Sequence, residues 1–316
     1  MSKFSQINRP LGVREIFINE ARIFRRKRDM ALKSVVLTAD DTEAINVMDG
    51  RDPGLTAFLA SNNVERLPFA LDLSSQVFDI AKRSQDLHFL HVTIINDAFE
   101  TSDENTTLLI KAMTDEAREI LYAISPDWVA GAELAVFANR VHPLGGKVIS
   151  PHVHATVWGH GIFAQAQRIA ASYNARLTAG VSGCVPVLVQ RVRATQADLE
   201  RVVVYPYRPP VRTKTVYHNP ETGHTNLHES EAGDRYVRYL RMYQLLSQMQ
   251  QDRLCFSSGA GVEMRRAALS EVHRRLELTT QRGDRAEQIE WVEHFWCEFM
   301  PRIRLSRFAM PKIVTR

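Results

Sequence analysis

Apolar and polar positions along the chain follow two periods. Four short runs are rich in β-branched and aromatic residues and predict strands: Leu87 to Ile95 (LHFLHVTII), Trp128 to Phe137 (WVAGAELAVF), Val148 to Trp158 (VISPHVHATVW) and Val185 to Val192 (VPVLVQRV). Between them the period lengthens to that of a helix. Leu108, Leu109, Ala112, Met113, Ile120 and Ala123 predict a helix over Asn105 to Ile124, stopped by Ser125-Pro126. Phe163, Ala166, Ile169, Ala170 and Tyr173 predict another over Gly161 to Asn174. Thr195, with Asp198 three positions on, caps a third (ADLERVVVY), which Pro206 ends. Pro143-Leu144-Gly145-Gly146 reads as the turn of a hairpin joining the second and third strands. The resulting order is β-α-β-β-α-β-α, an α+β fold whose antiparallel sheet carries helices on one face.

The flanks read differently. Residues 1–80 form a basic, partly helical N-terminal region with a Gly/Pro turn at 49–54, and a short helix is expected over Ser74 to Arg83. Residues 219–235 are polar and Gly-containing, hence a loop or linker, and three helices follow over Arg235 to Gln250, Val262 to Leu278 and Asp284 to Phe299. This divides the chain into residues 1–80, a central domain over 81–218 and a C-terminal helical region over 219–316.

Composition narrows the chemistry only after charge is placed along the chain. The net charge of the 316 residues is +4. Residues 22–33 hold six basic side chains and one acidic, and residues 302–316 hold five basic and no acidic ones, so the remainder is acidic. Basic segments on an acidic body suit phosphate-binding patches, and serve equally as solvated faces. Cys184, Cys255 and Cys297 are widely spaced, without a CxxC pair; this argues against a disulfide scaffold or a cysteine zinc site and for a reducing, cytoplasmic setting. No stretch approaches the ~18 uninterrupted apolar residues of a membrane span.

The most specific local pattern is Pro151-His152-Val153-His154-Ala155-Thr156-Val157-Trp158. Residues i and i+2 of a strand share a face, so His152 and His154 project side by side as a pair of divalent-metal ligands. The partner strand of the hairpin carries one acid, Glu133, within an apolar run, which can complete a two-histidine, one-carboxylate set. His88, His91, His142 and His160 are further candidates, His91 foremost because its strand should lie beside the hairpin.

Taken together, the strand FLHVTI (Phe89 to Ile94), a helix, a Glu-bearing strand and SPHVHATVW resemble motifs one and two of the HUH endonucleases, nearest the rolling-circle replication initiators of plasmids and phages. The resemblance covers roughly residues 74–218, with a weaker echo over Tyr236 to Leu269. It implies a nicking and joining enzyme for single-stranded origin DNA, with a tyrosine nucleophile, a His-bound Mg²⁺ or Mn²⁺, a 5′-phosphotyrosyl intermediate, and host replication proteins as partners. Motif three, a Tyr-x-x-Lys helix, departs from the pattern. Tyr205 with Arg208 fits it only with Arg for Lys, and Pro206 puts the tyrosine at a helix end; Tyr207 and the Tyr239/Tyr243 pair are alternatives. Arg208 or Lys214 would supply the cation beside the nucleophile, and Arg22, Arg25, Arg26, Lys27, Arg28, Arg212 and Lys214 the contacts to DNA. Three other readings share these residues: an origin-binding protein of this fold without nicking activity, a relaxase or transposase, and an unrelated metal hydrolase.

Overall fold

The computed structural model describes residues 12–52, 54–104, 107–180, 184–210, 213–221, 225–230, 236–278, 284–302 and 312–313. The chain opens with three helices, α1 (Val13–Leu32), α2 (Ala39–Met48) and α3 (Asn63–Arg83). Helix α3 begins well before the expected Ser74. Asn62 caps it by accepting from the Glu65 amide, and Pro68 is tolerated near its start. The central elements are β1 (His88–Ile95), β2 (Thr101–Ser102), β3 (Thr107–Leu108), α4 (Ile110–Ile124), β4 (Asp127–Val141), β5 (Lys147–Gly159), α5 (Phe163–Asn174), β6 (Val187–Val192) and α6 (Gln196–Val204). A 3₁₀ turn over Tyr205–Tyr207 follows α6 directly. Next come β7 (Thr213–His218) and β8 (Thr225–Ser230), a hairpin where a loop was expected. The chain continues through α7 (Val237–Ser247), α8 (Gln251–Leu254), β9 (Cys255–Ser258), α9 (Ala260–Glu277), α10 (Arg285–Phe299) and β10 (Lys312–Ile313).

The fold is α+β. One sheet runs β6-β1-β5-β4-β7-β8, with β2 added to β5 and β9 to β4; its pairs are antiparallel except β4 with β7. The long β4–β5 hairpin is its spine, and β5 is buried along nearly its whole length.

Helices cover both faces of this sheet, not one. Val153, Ala155 and Val157 of β5 share one core with Ile120 and Leu121 of α4 and Ala166 of α5. Phe89, Val129 and Trp158 point the other way, into a second core with Leu73 of α3, Leu199 of α6 and Val272 of α9. The near-continuous apolar runs of β4 and β5 account for this, because a strand buried on both sides has no polar alternation to show. Helix α1 reaches both cores, with Phe17 in the second and Phe24 in the first. The C-terminal helices close the other flank: the Gln288 side-chain oxygen on α10 accepts from the Thr56 amide (3.0 Å), the Thr56 hydroxyl (2.8 Å) and the Ala57 amide (2.9 Å). Among the described residues, no helix is long and apolar enough to cross a membrane.

Candidate active site

The site is built on the sheet face beneath α3 and α6. Strand alternation puts His152 and His154 on that face of β5 while Val153 packs into the opposite core. Hairpin register then fixes their neighbours. Glu133 lies opposite His152, Gly131 opposite His154, and across the other edge of β5 Thr93 pairs with His154. One ligand atom from each of Glu133, His152 and His154 falls within 4.8 Å of the others.

The polar atoms of this trio converge without satisfying one another. His154 Nε2 approaches Glu133 Oε2 at 3.0 Å, yet both atoms, and His152 Nε2, are buried without a well-directed hydrogen bond. Thr93 Oγ1 sits 3.1 Å from His154 Nδ1. Assigning the His154 proton to Nδ1, so that it donates to Thr93, leaves a lone pair on Nε2 facing the carboxylate, and a cation between them resolves the conflict. Burial alone would raise the Glu133 carboxyl, but His154, followed by Lys214 and His152, outweighs it and holds the group at about 2. Burial, reinforced by the Lys214 charge, pushes His152 well below the usual imidazole range. An ionised carboxylate and a neutral imidazole are the protonation states metal ligands require. The residues therefore fit a divalent cation with mixed nitrogen and oxygen ligands.

His91, two positions before Thr93 on β1, does not join the trio. Its ring stacks on His154 at 5.4 Å and 10° between planes, and burial, aided by the neighbouring His154, pushes it down to about 3. His142 lies in the hairpin turn, where its Nδ1 accepts from the Leu144 amide, and His160 pairs with Asp86 on the surface at 3.1 Å.

The break at Pro206 sends the two adjacent tyrosines to different fates. The Tyr205 ring lies edge-on to His154 at 4.7 Å and 6.3 Å from His91, with the Arg208 guanidinium 5.1 Å over it. Tyr207, 1% exposed, packs edge-on against Phe69 at 5.2 Å, and its hydroxyl lies 3.1 Å from Cys255 Sγ and 3.4 Å from the Ala130 carbonyl. Burial, with Cys255 beside it, pushes the Tyr207 phenol well above its ordinary value. Gly131 makes the approach of this turn to the sheet possible. A Cβ there would stand 2.9 Å from Pro206 and 3.0 Å from the Tyr207 ring, too close for any side chain. Tyr239 and Tyr243 are buried on α7, where the Tyr243 hydroxyl donates to the Ile45 carbonyl at 3.1 Å.

A cleft of about 580 Å³ opens onto this group, lined by His91, His154, Tyr205, Gln190, Arg201 and Arg208 among others, with no carboxylate in its lining. Such a wall favours an anionic occupant. Arg208 is itself engaged, donating from Nε and Nη2 to the Glu20 carboxylate at 2.7 and 2.5 Å. Lys214 on β7 is buried to 8% exposure and acts electrostatically on Glu133 and His152. Of the basic segment on α1, Arg22, Arg25 and Arg26 are exposed, and Lys27 lies 5.2 Å over the Tyr239 ring. Arg28 faces inward: it is 2% exposed, paired with Asp49 and Asp29, and 4.5 Å over the Tyr243 ring. Arg302 pairs with Asp41; Arg212 and residues 303–311 lie outside the described residues.

Thr93, Gly131 and Glu20 were not singled out by sequence reasoning. Thr93 carried a usable signal, since it pairs with His154 once the strands are in register. Gly131 and Glu20 carried none, because each matters through a partner that only the folded chain brings near. Comparison of the chain with family models, with curated proteins and with solved structures finds no match.

Proposed function

We propose that the protein nicks and rejoins single-stranded DNA by the HUH type of chemistry, with Tyr205 as nucleophile, in the initiation of rolling-circle replication. One observation carries this reading: of the candidate tyrosines, Tyr205 has its ring against His154 at 4.7 Å, in the lining of a cleft that also holds Arg201 and Arg208. The sheet order β6-β1-β5-β4, with both histidines on a central strand, supports it as the arrangement the resemblance implies.

Each group then has a task. A Mg²⁺ or Mn²⁺ ion held by His152, His154 and Glu133 would polarise the scissile phosphate and offset the charge that develops on it. Arg201 in the cleft wall, with Arg22, Arg25 and Arg26 on α1, would draw in and hold the phosphodiester backbone. Tyr205 Oη attacks phosphorus, its O–P bond forming as the P–O3′ bond breaks, and the phenol proton passes through solvent to the departing 3′-oxygen. The product is a 5′-phosphotyrosyl link and a 3′-hydroxyl that a polymerase can extend. Attack by a 3′-hydroxyl reverses the step and rejoins the strand. Relaxation and transposition use the same chemistry on other DNA targets, so the biological role rests on the strand recognised.

The test is covalent capture. The protein is incubated with a random-sequence single-stranded DNA library and Mn²⁺, denatured, and examined for protein-linked DNA. Adduct with wild type, and none with Tyr205→Phe or His152→Ala, is expected. DNA retained only without denaturation, unaffected by Tyr205→Phe, would instead indicate a binding protein of the same fold. Hydrolysis of small phosphoesters with no preference for DNA would replace the reading with a general metal hydrolase.

A further inference from the structure

We propose that Glu20, on the first helix, is the positioning residue for the nucleophile. Acting through Arg208, it holds the Tyr205 ring against His154. The inference rests on the nicking reading for its function, but its geometry stands on the structure alone.

Helix α1 carries a buried charge. Phe17 and Phe24 anchor the inner side of α1, and Glu20, between them, is carried inward to 3% exposure. A carboxylate at that depth is unfavourable unless paired and hydrogen-bonded. Glu20 is met by the fork of Arg208, with Nε 2.7 Å from one oxygen and Nη2 2.5 Å from the other. A two-point contact fixes the plane of the guanidinium as well as its place, which a lysine ammonium cannot do.

Arg208 is also held by its backbone. Its carbonyl accepts from Nη2 of Arg66, a buried side chain whose Nη1 donates to the Ala60 carbonyl at 2.9 Å. With both its main chain and its side chain fixed, Arg208 presents its guanidinium 5.1 Å from the centre of the Tyr205 ring. His154 contacts the same ring at 4.7 Å. The nucleophile's ring therefore touches a pinned cation and a candidate metal ligand.

The need for such a clamp follows from where Tyr205 sits. It occupies a 3₁₀ turn at the end of α6, and the following residue is a proline. Short 3₁₀ segments have poorer hydrogen bonds than an α-helix, so the local backbone gives a side chain little rigidity. In-line attack demands it, since a misplacement of about 1 Å can cost ~10²-fold in rate. Glu20 supplies the missing rigidity from an element 188 residues earlier in the chain. The same contact takes two donor groups of Arg208 out of play, so the principal task of Arg208 is to orient the ring and the task of binding phosphate falls to other cations.

Two readouts test this. The first does not depend on activity. In protein labelled with 3-fluorotyrosine, the Tyr205 ¹⁹F resonance is identified by its loss in Tyr205→Phe. In Glu20→Gln that resonance should move toward the position of free fluorotyrosine or broaden, while those of Tyr207 and Tyr243 stay in place. Arg208→Lys, at a partly exposed position, should give the same change and guards against misfolding of the Glu20 variant. A Tyr205 resonance unmoved in both variants overturns the proposal. The second readout is single-turnover adduct formation with a captured DNA strand and Mn²⁺. Glu20→Gln should slow it by about 10-fold or more with the strand's Kd unchanged. Faster adduct formation with tighter DNA binding would overturn the proposal, because Glu20 would then be restraining a phosphate ligand. Absence of adduct in wild type would refute the nicking reading while leaving the ¹⁹F result to decide the clamp.

Discussion

The two faces of the central sheet are made by alternate residues of the same strands and are built to opposite standards. On one, Val92, Ala130, Ala132, Val153, Ala155 and Val157 meet α4 and α5 in a dry core. On the other, one residue along at every step, lie Glu133, His152, His154, Thr93 and His91, including buried polar atoms with no well-directed partner. Each such atom costs roughly 1–3 kcal/mol in the free protein. The contrast teaches that the apolar face carries the stability that lets the polar face remain unsatisfied, a deficit that a bound cation would turn into affinity.

The sharpest way to break the comparison is at the tyrosines. Tyr205→Phe should reduce adduct formation by ~10³-fold or more with little change in melting temperature. Tyr207→Phe should retain the adduct and lose about 1 kcal/mol of stability, read from denaturant unfolding. Loss of adduct in Tyr207→Phe with retention in Tyr205→Phe would mean that the buried tyrosine is the nucleophile. Next comes the apolar face. Ile120→Ala, in the packed face of α4, should cost about 2–5 kcal/mol while Mn²⁺ affinity per folded molecule stays the same. A matching fall in metal affinity would show that the two faces are not separable. On the polar face the effects reverse: Thr93→Val removes the hydroxyl that orients His154 and should weaken Mn²⁺ binding by ~10–100-fold, measured calorimetrically, at nearly unchanged stability.

The smallest effect is graded by pH. His91 and His152 are held neutral in the fold by burial, so the unfolded chain takes up protons at these positions first. Their contribution is complete above about pH 6.5 and is lost as pH falls, for His91 down to about 3. With chelator present, stability should therefore drop on acidification from pH 7, by up to ~1.4 kcal/mol per pH unit for each group. His91→Gln should flatten that slope. An unchanged slope would mean that the imidazole is already charged in the folded protein.

Much of the site was legible because it depends on short-range rules. A strand period of two places His152 beside His154, and a hairpin around Gly145 brings Glu133 opposite His152. The Thr195 cap and the stop at Pro206 likewise follow from local chemistry. What escaped was set by distant partners. Arg28 carries the same charge as Arg25 and Arg26, yet the turn of α1 aims it at Asp49, and nothing near it in sequence announces that pairing. The polar segment that forms β8 reads as a loop because its β7 partner, not its own composition, makes it a strand. Gly131 looks like a weak point in an apolar run until the turn at Pro206 is placed against it.

The stitch from Gln288 to Thr56 and Ala57 joins positions 232 and 231 residues apart, and this separation has a consequence in time. On the ribosome, the strands bearing Glu133, His152 and His154 and the turn bearing Tyr205 have all been made by Arg208. Some eighty residues more, roughly 4–16 s of synthesis at ordinary rates, must follow before α10 can receive the backbone donors of Thr56 and Ala57. During that interval the apolar side chains of α2 and of the Leu55–Ala60 segment lack the helices that cover them in the finished protein. The order of the chain thus makes its early helices depend on α10, an element made more than 200 residues later.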